Sequence, residues 1–223
     1  LHAIENLGAI DFVVFDKTGT LTQNRMSVAE VQLGSSQIRF DGSTPDDLKL
    51  SPDWLLVCSL CNDLTPAEEG DKTGHWHGSS TEIALIEFAD HYGANAQALR
   101  TRHPRLAIKQ RSEHHPYMVT LHADGRGAAL VTVKGRPAEV LERCRNWFDG
   151  RRVAALTGAQ RKRLLKANDA MAARGQRVLA LAIARQKGRT LGTTDGLTWL
   201  GLIGLADPVR PGIAESIARF RAA

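Results

Sequence analysis

An apolar segment followed directly by a polar, glycine-containing one is the feature that most limits the possible folds of this chain. Residues 10–15 (IDFVVF) are mostly apolar and β-branched or aromatic, as in a strand buried on both faces of a sheet, and DKTGTLT follows at residues 16–22. A polar loop at the carboxyl end of a strand is where α/β proteins place their reactive groups. We therefore expect an α/β fold with its chemistry in residues 16–22.

The composition excludes several other classes of protein. The 223 residues are 43% hydrophobic, which is enough for a core and rules out disorder, a collagen-like fibre and a disulfide scaffold. The apolar stretches 178–184 and 197–206 fall short of the ~20 residues of a membrane-spanning helix. The excess of 29 basic over 24 acidic residues is spread along the chain, so we expect no nucleic-acid partner. An odd number of cysteines, three, favours a reducing compartment.

The rest of the chain predicts an alternation of helices and antiparallel strands. Helices are expected at 52–61 with Ser51 as the cap, 81–89, 137–144, 158–174 and 212–222. Strands are expected at 28–33, 37–40, 117–123, 128–134, 177–184 and 197–206, and a polar loop at 70–78. This pattern predicts an antiparallel sheet flanked by helices, inserted into the α/β domain that residues 10–22 begin.

Residues 16–22 also permit a comparison with a known family. A carboxylate beside a lysine, small hydroxyls and a glycine suits nucleophilic attack on phosphorus, and DKTGTLT resembles the phosphorylation motif of P-type ATPases. The resemblance implies that Asp16 is the nucleophile, with Lys17 and Thr18 as its catalytic neighbours, Thr18 also contacting ATP. It implies Mg²⁺ on the Asp16 carboxylate and the Thr18 backbone carbonyl. Related haloacid-dehalogenase-like phosphatases carry an acid–base Asp where this chain has Thr18, so a long-lived aspartyl-phosphate is expected.

Later segments resemble the ATP-binding elements of the same family. Thr81-Glu82, preceded by Cys-Asn-Asp at 61–63, is similar to a segment in which the Glu contacts adenine. Lys134-Gly135 resembles the family's Lys-Gly-Ala-Pro-Glu element, where the lysine lines the adenosine pocket and the glycine lets the base approach the backbone. Arg177 begins a segment similar to one whose Arg reaches the nucleotide phosphates.

Asp207-Pro208-Val209-Arg210 resembles the hinge at which the chain leaves the nucleotide domain, and proline suits a hinge because it fixes φ. The resemblance adds Asp207 and Arg210 to the ATP-binding residues. It implies three parts: residues 1–25 as the start of the phosphorylation domain, 26–204 as the nucleotide-binding domain, and 205–223 as the hinge and the return.

The sequence departs from the family at two places. Ala138 stands where the family has Glu, and residues 112–118 lack the Phe that stacks on adenine. Tyr117, His114 or His115 is the candidate to replace that ring, although Tyr117 equally suits the core.

The function expected from the resemblance is the cytoplasmic, ATP-binding and phosphorylation portion of a membrane-bound, cation-transporting ATPase. Transmembrane helices, an actuator domain and further Mg²⁺ ligands would lie outside these 223 residues, so we expect this piece not to turn over by itself. The ion would be bound in those helices, and a calcium-type pump is only suggested by residues 22–24 and the hinge. The alternatives are a phosphatase with a large cap domain and a non-catalytic nucleotide sensor.

Overall fold

The computed structural model describes residues 12–40, 48–67, 76–125 and 127–222. These residues form two compact units, Ser27–Ala206 and a smaller unit formed by the residues before and after it. The larger unit combines helices with a large antiparallel sheet, which confirms the expected α/β class. Across the described ranges, no helix is both long and apolar enough to span a bilayer.

The sheet of the larger unit has nine strands in the described residues. Seven follow the order β2-β1-β11-β10-β7-β6-β5 with antiparallel pairing, while β8 pairs parallel to β11 and β9 pairs with β8. A separate pair joins β3 to β4. The strands are β1 Ser27–Leu33, β2 Ser36–Arg39, β3 Thr65–Pro66, β4 Trp76–His77, β5 Arg105–Lys109, β6 Tyr117–Ala123, β7 Ala128–Gly135, β8 Cys144–Phe148, β9 Val153–Ala155, β10 Arg177–Lys187 and β11 Leu197–Ala206.

Several helices begin where a side chain satisfies a free backbone N–H group. Ser51 Oγ accepts from Trp54 N at 3.4 Å, and Thr157 and Gln160 form a reciprocal capping box. The helices are α1 Pro52–Leu60, α2 Ser80–His91, α3 Ala96–Arg102, α4 Pro137–Glu142, α5 Gly158–Ala172 and α6 Ile213–Ala222.

The core lies between the sheet and its helices and includes two polar anchors. Trp54 is fully buried, and its Nε1 donates to Leu200 O at 3.1 Å, which fixes α1 on β11. Glu30 on β1 is also fully buried, and its Oε2 and Oε1 accept a bidentate pair of hydrogen bonds from Nε and Nη2 of Arg174 at 3.1 and 2.8 Å. Both contacts satisfy groups whose burial without a partner would be costly.

The smaller unit corrects one prediction. Residues 12–15 form no strand, and Phe12 and Val14 are 88% and 93% exposed, whereas a strand buried on both faces was expected. A strand needs hydrogen-bonded neighbours, and none of the described residues pairs with these. Residues 10 and 11, most of the predicted loop 70–78 and residue 223 lie outside the described residues.

Candidate functional site

A short, buried polar contact of the larger unit joins two residues singled out from the sequence. Lys134, near the end of β7, donates through Nζ to Oε1 of Glu82 at 2.6 Å. Glu82 lies in the first turn of α2, where the helix dipole favours a carboxylate. Both side chains are only 7% exposed. The contact is therefore a buried ion pair that ties a helix start to a strand end.

Asp63 borders this ion pair. Its backbone N lies 3.5 Å from Glu82 Oε2, and its Oδ2 accepts from Gln110 Nε2 at 2.8 Å. Burial raises the pKa of Glu82, with the neighbouring Asp63 carboxyl as the second cause, against the attraction of Lys134. The pKa of Asp63 is lowered, mainly by its interaction with Glu82. The exposed Asp63 therefore releases its proton more readily than Glu82 does.

A second contact adds two more predicted residues to the same place. Thr81, next to Glu82 and itself buried, accepts through Oγ1 from Nη1 of Arg177 at 2.8 Å. Arg177 is the first residue of β10, which pairs with β7 so that Leu181 lies opposite Lys134. The structure thus brings together Thr81, Glu82, Lys134 and Arg177, which are far apart in the sequence.

Thr81, Glu82 and Lys134 border a cleft with two adjoining compartments, and Arg177 contacts this border through Thr81. One has a volume of about 270 Å³, and the smaller one has about 50 Å³. Both are lined by Glu82, Arg111 and Met118. The larger is completed by Asp63, Gly78, Ser79 and Gln110, and the smaller by Thr81, Pro116, Tyr117, Lys134, Gly135 and Leu179. The cleft therefore offers charged groups of both signs beside a few apolar surfaces, as small-molecule sites do.

Gly135 has a structural reason for lacking a side chain. Its partners in the sheet are Tyr117 on β6 and Ala180 on β10. A Cβ at this position would overlap the Cα and Cβ atoms of Tyr117 and crowd Pro116 O. The close approach of β6 to β7 therefore requires glycine, independently of any ligand.

The candidates for the missing aromatic ring differ in their surroundings. Tyr117 is 3% exposed; its hydroxyl accepts from Arg143 Nε, and the Arg143 guanidinium lies 4.5 Å from the ring centroid. The His115 ring lies 3.6 Å from the Tyr117 ring, centroid to centroid. Tyr117 therefore presents little free surface to a ligand, while His114 is exposed.

The predicted phosphorylation loop lies in the smaller unit. Asp16, Lys17 and Thr18 are exposed, and Gly19 has a φ of +84°, which the turn of the loop requires. Thr22, at the end of the loop, forms an isolated antiparallel bridge with Val209.

Asp207 and Arg210 hold this loop in place. Asp207 Oδ2 accepts from Thr22 Oγ1 at 2.6 Å. Arg210 donates through Nη2 to Gly19 O at 2.8 Å and through Nε to Thr22 O at 2.9 Å. Both residues were grouped with the ATP-binding residues from the sequence, and within this unit they contact the Asp16 loop.

Comparison with known proteins decides the family. The family model described as "P-type ATPase, cytoplasmic domain N" matches residues 51–212, which is more than half of the chain. The chain belongs to the P-type ATPase family. The resemblance inferred from residues 16–22 is thereby confirmed. Thr81, Glu82, Lys134 and Arg177 of this P-type ATPase chain lie inside the matched range, and Asp16 lies before it.

Named relatives match the chain along its full length. It is 34% identical to "Calcium-transporting ATPase 1" of Lactococcus lactis and 31% identical to "Probable cation-transporting ATPase F" of Mycobacterium bovis. It is 25% identical to "Sodium/potassium-transporting ATPase subunit alpha-4" of Homo sapiens. Each match covers the whole chain but 25%, 26% and 24% of the relative, respectively. This P-type ATPase chain therefore spans about a quarter of the length of those relatives.

Sequence reasoning missed part of the cleft. Gln110 and Arg111 follow the short strand β5, which was not predicted, and they reach the cleft because β5 pairs with β6. Their only signal in the sequence is polarity after a weakly apolar segment, which equally suits an ordinary loop.

Proposed function

We propose that the cleft of the larger unit binds ATP and that the full protein transfers the γ-phosphate of ATP to Asp16, in the cycle of a cation-transporting ATPase. The observation that carries the proposal is the convergence of the Glu82–Lys134 ion pair and the Thr81–Arg177 contact on one cleft. On this proposal the unit Ser27–Ala206 is the nucleotide-binding domain, and the residues around Asp16 and Asp207 belong to the phosphorylation domain.

The charges of the cleft suit the two ends of ATP. Glu82 has a carboxylate that accepts hydrogen bonds, as the exocyclic amine of adenine requires. Lys134 fixes that carboxylate at 2.6 Å and supplies positive charge beside the base. Arg177, at the exposed start of β10, has a guanidinium suited to the phosphates. A polar anchor for the base and a cation for the phosphates are what a nucleotide site needs.

The phosphorylation step uses Asp16. A carboxylate oxygen of Asp16 attacks the γ-phosphorus, the bond from that phosphorus to the β–γ bridging oxygen breaks, and ADP leaves with the bonding electrons. Thr18 has no group that transfers a proton at neutral pH, so water is not activated and the acyl phosphate persists. Asp207 and Arg210 act by holding the loop through Thr22 and Gly19.

The residues around Asp16 fit Mg²⁺ as part of a ligand set. The exposed Asp16 carboxylate and Thr18 backbone carbonyl would hold it, and they offer the hard oxygen atoms that this ion prefers. Magnesium also keeps waters and binds substrate phosphates, so two protein oxygens are compatible with it. When bound, it neutralises charge on the transferring phosphate.

Transport of a cation is proposed for the whole protein, with this portion on the cytoplasmic side of a membrane. The support is the family and the printed names of the relatives, one of which transports calcium. We expect the residues that select the ion to lie outside this chain, because the chain covers about a quarter of the length of those relatives.

ATP titration of the 223-residue chain, by calorimetry and by amide shifts in NMR, tests the cleft. We expect saturable binding that Lys134→Ala and Glu82→Ala each weaken by about tenfold or more, because each removes a charge-assisted contact. Lys187→Ala, an exposed lysine at the far end of β10, is the matched control and should bind normally. Absence of binding, or equal binding by all three variants, would overturn the proposal for the cleft.

A further inference from the structure

A second cavity of the larger unit is separate from the proposed nucleotide cleft. Its volume is about 150 Å³, and it is lined by Leu60, Arg100, His103, Arg105 and His122. None of these residues lines either compartment of the cleft. The cavity lies where the end of α1, the end of α3 and the paired strands β5 and β6 meet. The proposed function leaves it without a role.

The cavity concentrates positive charge. Arg100 and Arg105 both line it, and among the ion pairs of the described residues neither guanidinium takes part. The one carboxylate paired with a lining residue is Asp124, 3.3 Å from His103 Nδ1 and 3.8 Å from Arg185 Nε. Burial lowers the pKa of Arg100, and the charge of Arg105 lowers it further. Within the described residues, no carboxylate therefore forms an ion pair with either guanidinium, although the charge of Glu82 acts on Arg100 against the other two effects.

Most hydrogen-bond donors of the two arginines are free of protein partners in the described residues. Arg100 donates to Leu64 O at 2.9 Å and to Asn62 Oδ1, and its guanidinium lies 4.2 Å from the Trp76 ring centroid. Arg105 donates to Asn62 O at 2.8 Å. A guanidinium carries five N–H donors, so each arginine is fixed by part of its donor set and keeps the rest for a ligand.

His122 shapes the cavity rather than charging it. His122 is 2% exposed, and burial lowers its pKa to about 4, so it is neutral near pH 7. Both of its ring nitrogens have partners, His103 O at 3.0 Å and Thr120 Oγ1 at 2.9 Å. His103 Nδ1 lies 3.1 Å from Ala123 O. The two arginines are the guanidinium groups that line the cavity.

We propose that this cavity is a binding site for a tetrahedral oxyanion, with inorganic phosphate as its ligand. The planar fork of a guanidinium matches two oxygens of a phosphate, and two such groups neutralise a dianion. The volume corresponds to several water molecules, so it admits an ion of this size. Binding would relieve the repulsion between the two cations, which supplies the driving force.

The position of the site gives it a connection to the cleft. Asn62 accepts from both arginines, and the next residue, Asp63, contacts Glu82 and Gln110. An anion on the arginines therefore acts on the two-residue segment that separates the cavity from the cleft. Amide signals of this segment should report its arrival.

The test is a phosphate titration of the ¹⁵N-labelled chain, with chloride at matched ionic strength as the reference. We expect saturable amide shifts at Asn62, Leu64 and Ala123 that chloride does not produce. Arg105→Gln should weaken phosphate binding by roughly tenfold or more, through the loss of a charge-assisted contact. Arg102→Gln is the matched control, because Arg102 is an exposed arginine three residues before Arg105, at the end of helix α3, and does not line the cavity. It should bind phosphate normally.

A conservative variant and a larger ligand complete the test. If Arg105→Gln fails to fold, Arg105→Lys must bind phosphate more weakly than the natural chain, since it keeps the charge and loses the fork. If glycerol 3-phosphate binds as well as phosphate, the natural ligand is a phosphate group carried on a larger molecule. If only inorganic phosphate binds, the natural ligand is the free ion. Three results would overturn the proposal. The shifts could match those of chloride, or they could be equal in Arg105→Gln and Arg102→Gln. They could also vanish in Lys134→Ala while persisting in Arg105→Gln.

Discussion

Lys134 Nζ and Glu82 Oε1 lie 2.6 Å apart in a place where each side chain is 7% exposed. Removing one partner of a buried pair leaves the other charged group without compensation, which costs far more than the net contribution of the pair itself. The pair therefore links stability and ligand binding, because the same two side chains border the cleft.

Glu82→Gln should destabilise the chain by about 3 kcal/mol, since Lys134 would stay buried beside a neutral amide. Urea unfolding followed by circular dichroism measures this. The double variant Glu82→Gln/Lys134→Met should recover part of the loss, because the stranded charge is removed. Arg136→Gln is the exposed comparison: it breaks an ion pair whose arginine is 68% exposed and should cost less than about 1 kcal/mol. Equal costs for Glu82→Gln and Arg136→Gln would contradict this reading.

Gly135→Ala should destabilise the chain by roughly 1–3 kcal/mol, because the added methyl group overlaps the Tyr117 backbone and forces β6 and β7 apart. Gly192→Ala is the control, since nothing lies within 4 Å of a Cβ at that position. Thermal unfolding of both variants measures the difference. A normal melting temperature for Gly135→Ala would show that β6 and β7 tolerate separation here.

His122 predicts an acid-dependent loss of stability. Burial lowers its pKa from 6.5 to about 4 in the folded chain, so between these values the unfolded state binds the proton more readily. Stability should therefore fall by about 3 kcal/mol as the pH drops from 6.5 to 4, and stay constant for this group above that window. Urea unfolding across this range should show a smaller fall for His122→Gln, whereas the exposed His114→Gln should behave like the natural chain. Identical pH profiles for all three chains would refute the assignment.

Local signals predicted helices α1 and α5, each of which begins with a capping side chain. Ser51 and Thr157 directly precede two predicted helices. In the structure Ser51 caps α1 and Thr157 caps α5. Helix α3 and strand β5 were not predicted because both are short and rich in charged residues, so their periodicity is weak. Residues 12–15 were predicted to be a buried strand but are exposed. An apolar pattern predicts burial, but burial also requires a neighbouring strand that the pattern does not specify.

The sequence likewise predicted some residues of the cleft and missed others. Glu82 and Lys134 stood out because each lies in a segment that resembles an ATP-binding element of the family. Gln110 and Arg111 reach the cleft through the pairing of β5 with β6, which is a long-range contact that no local pattern specifies. The carboxyl pair formed by Asp63 and Glu82 also depends on tertiary packing.

Arg111→Ala should weaken ATP binding by roughly three- to tenfold without changing stability. Arg111 is exposed and lines both compartments of the cleft, and no hydrogen bond or ion pair to it is formed by the described residues. Its guanidinium is therefore free to lie against a base or a phosphate. Calorimetry with ATP measures the effect, and Arg189→Ala, an exposed arginine away from the cleft, is the control. Unchanged affinity in Arg111→Ala would exclude it from the site.

Asp16→Asn in the intact protein should abolish the acid-stable phosphoenzyme formed from labelled ATP, because the amide is no nucleophile towards phosphorus. Asp207→Ala should lower the phosphoenzyme level rather than abolish it, since it removes the 2.6 Å hydrogen bond from Thr22 that holds the loop but leaves the Asp16 carboxylate in place. Asp195→Asn, at an exposed position of the larger unit, should label normally. ATP binding to the cleft should survive all three changes, which separates loss of the nucleophile from loss of the nucleotide. Undiminished labelling of Asp16→Asn would remove Asp16 from the mechanism, and full labelling of Asp207→Ala would show that the loop keeps its shape without Asp207.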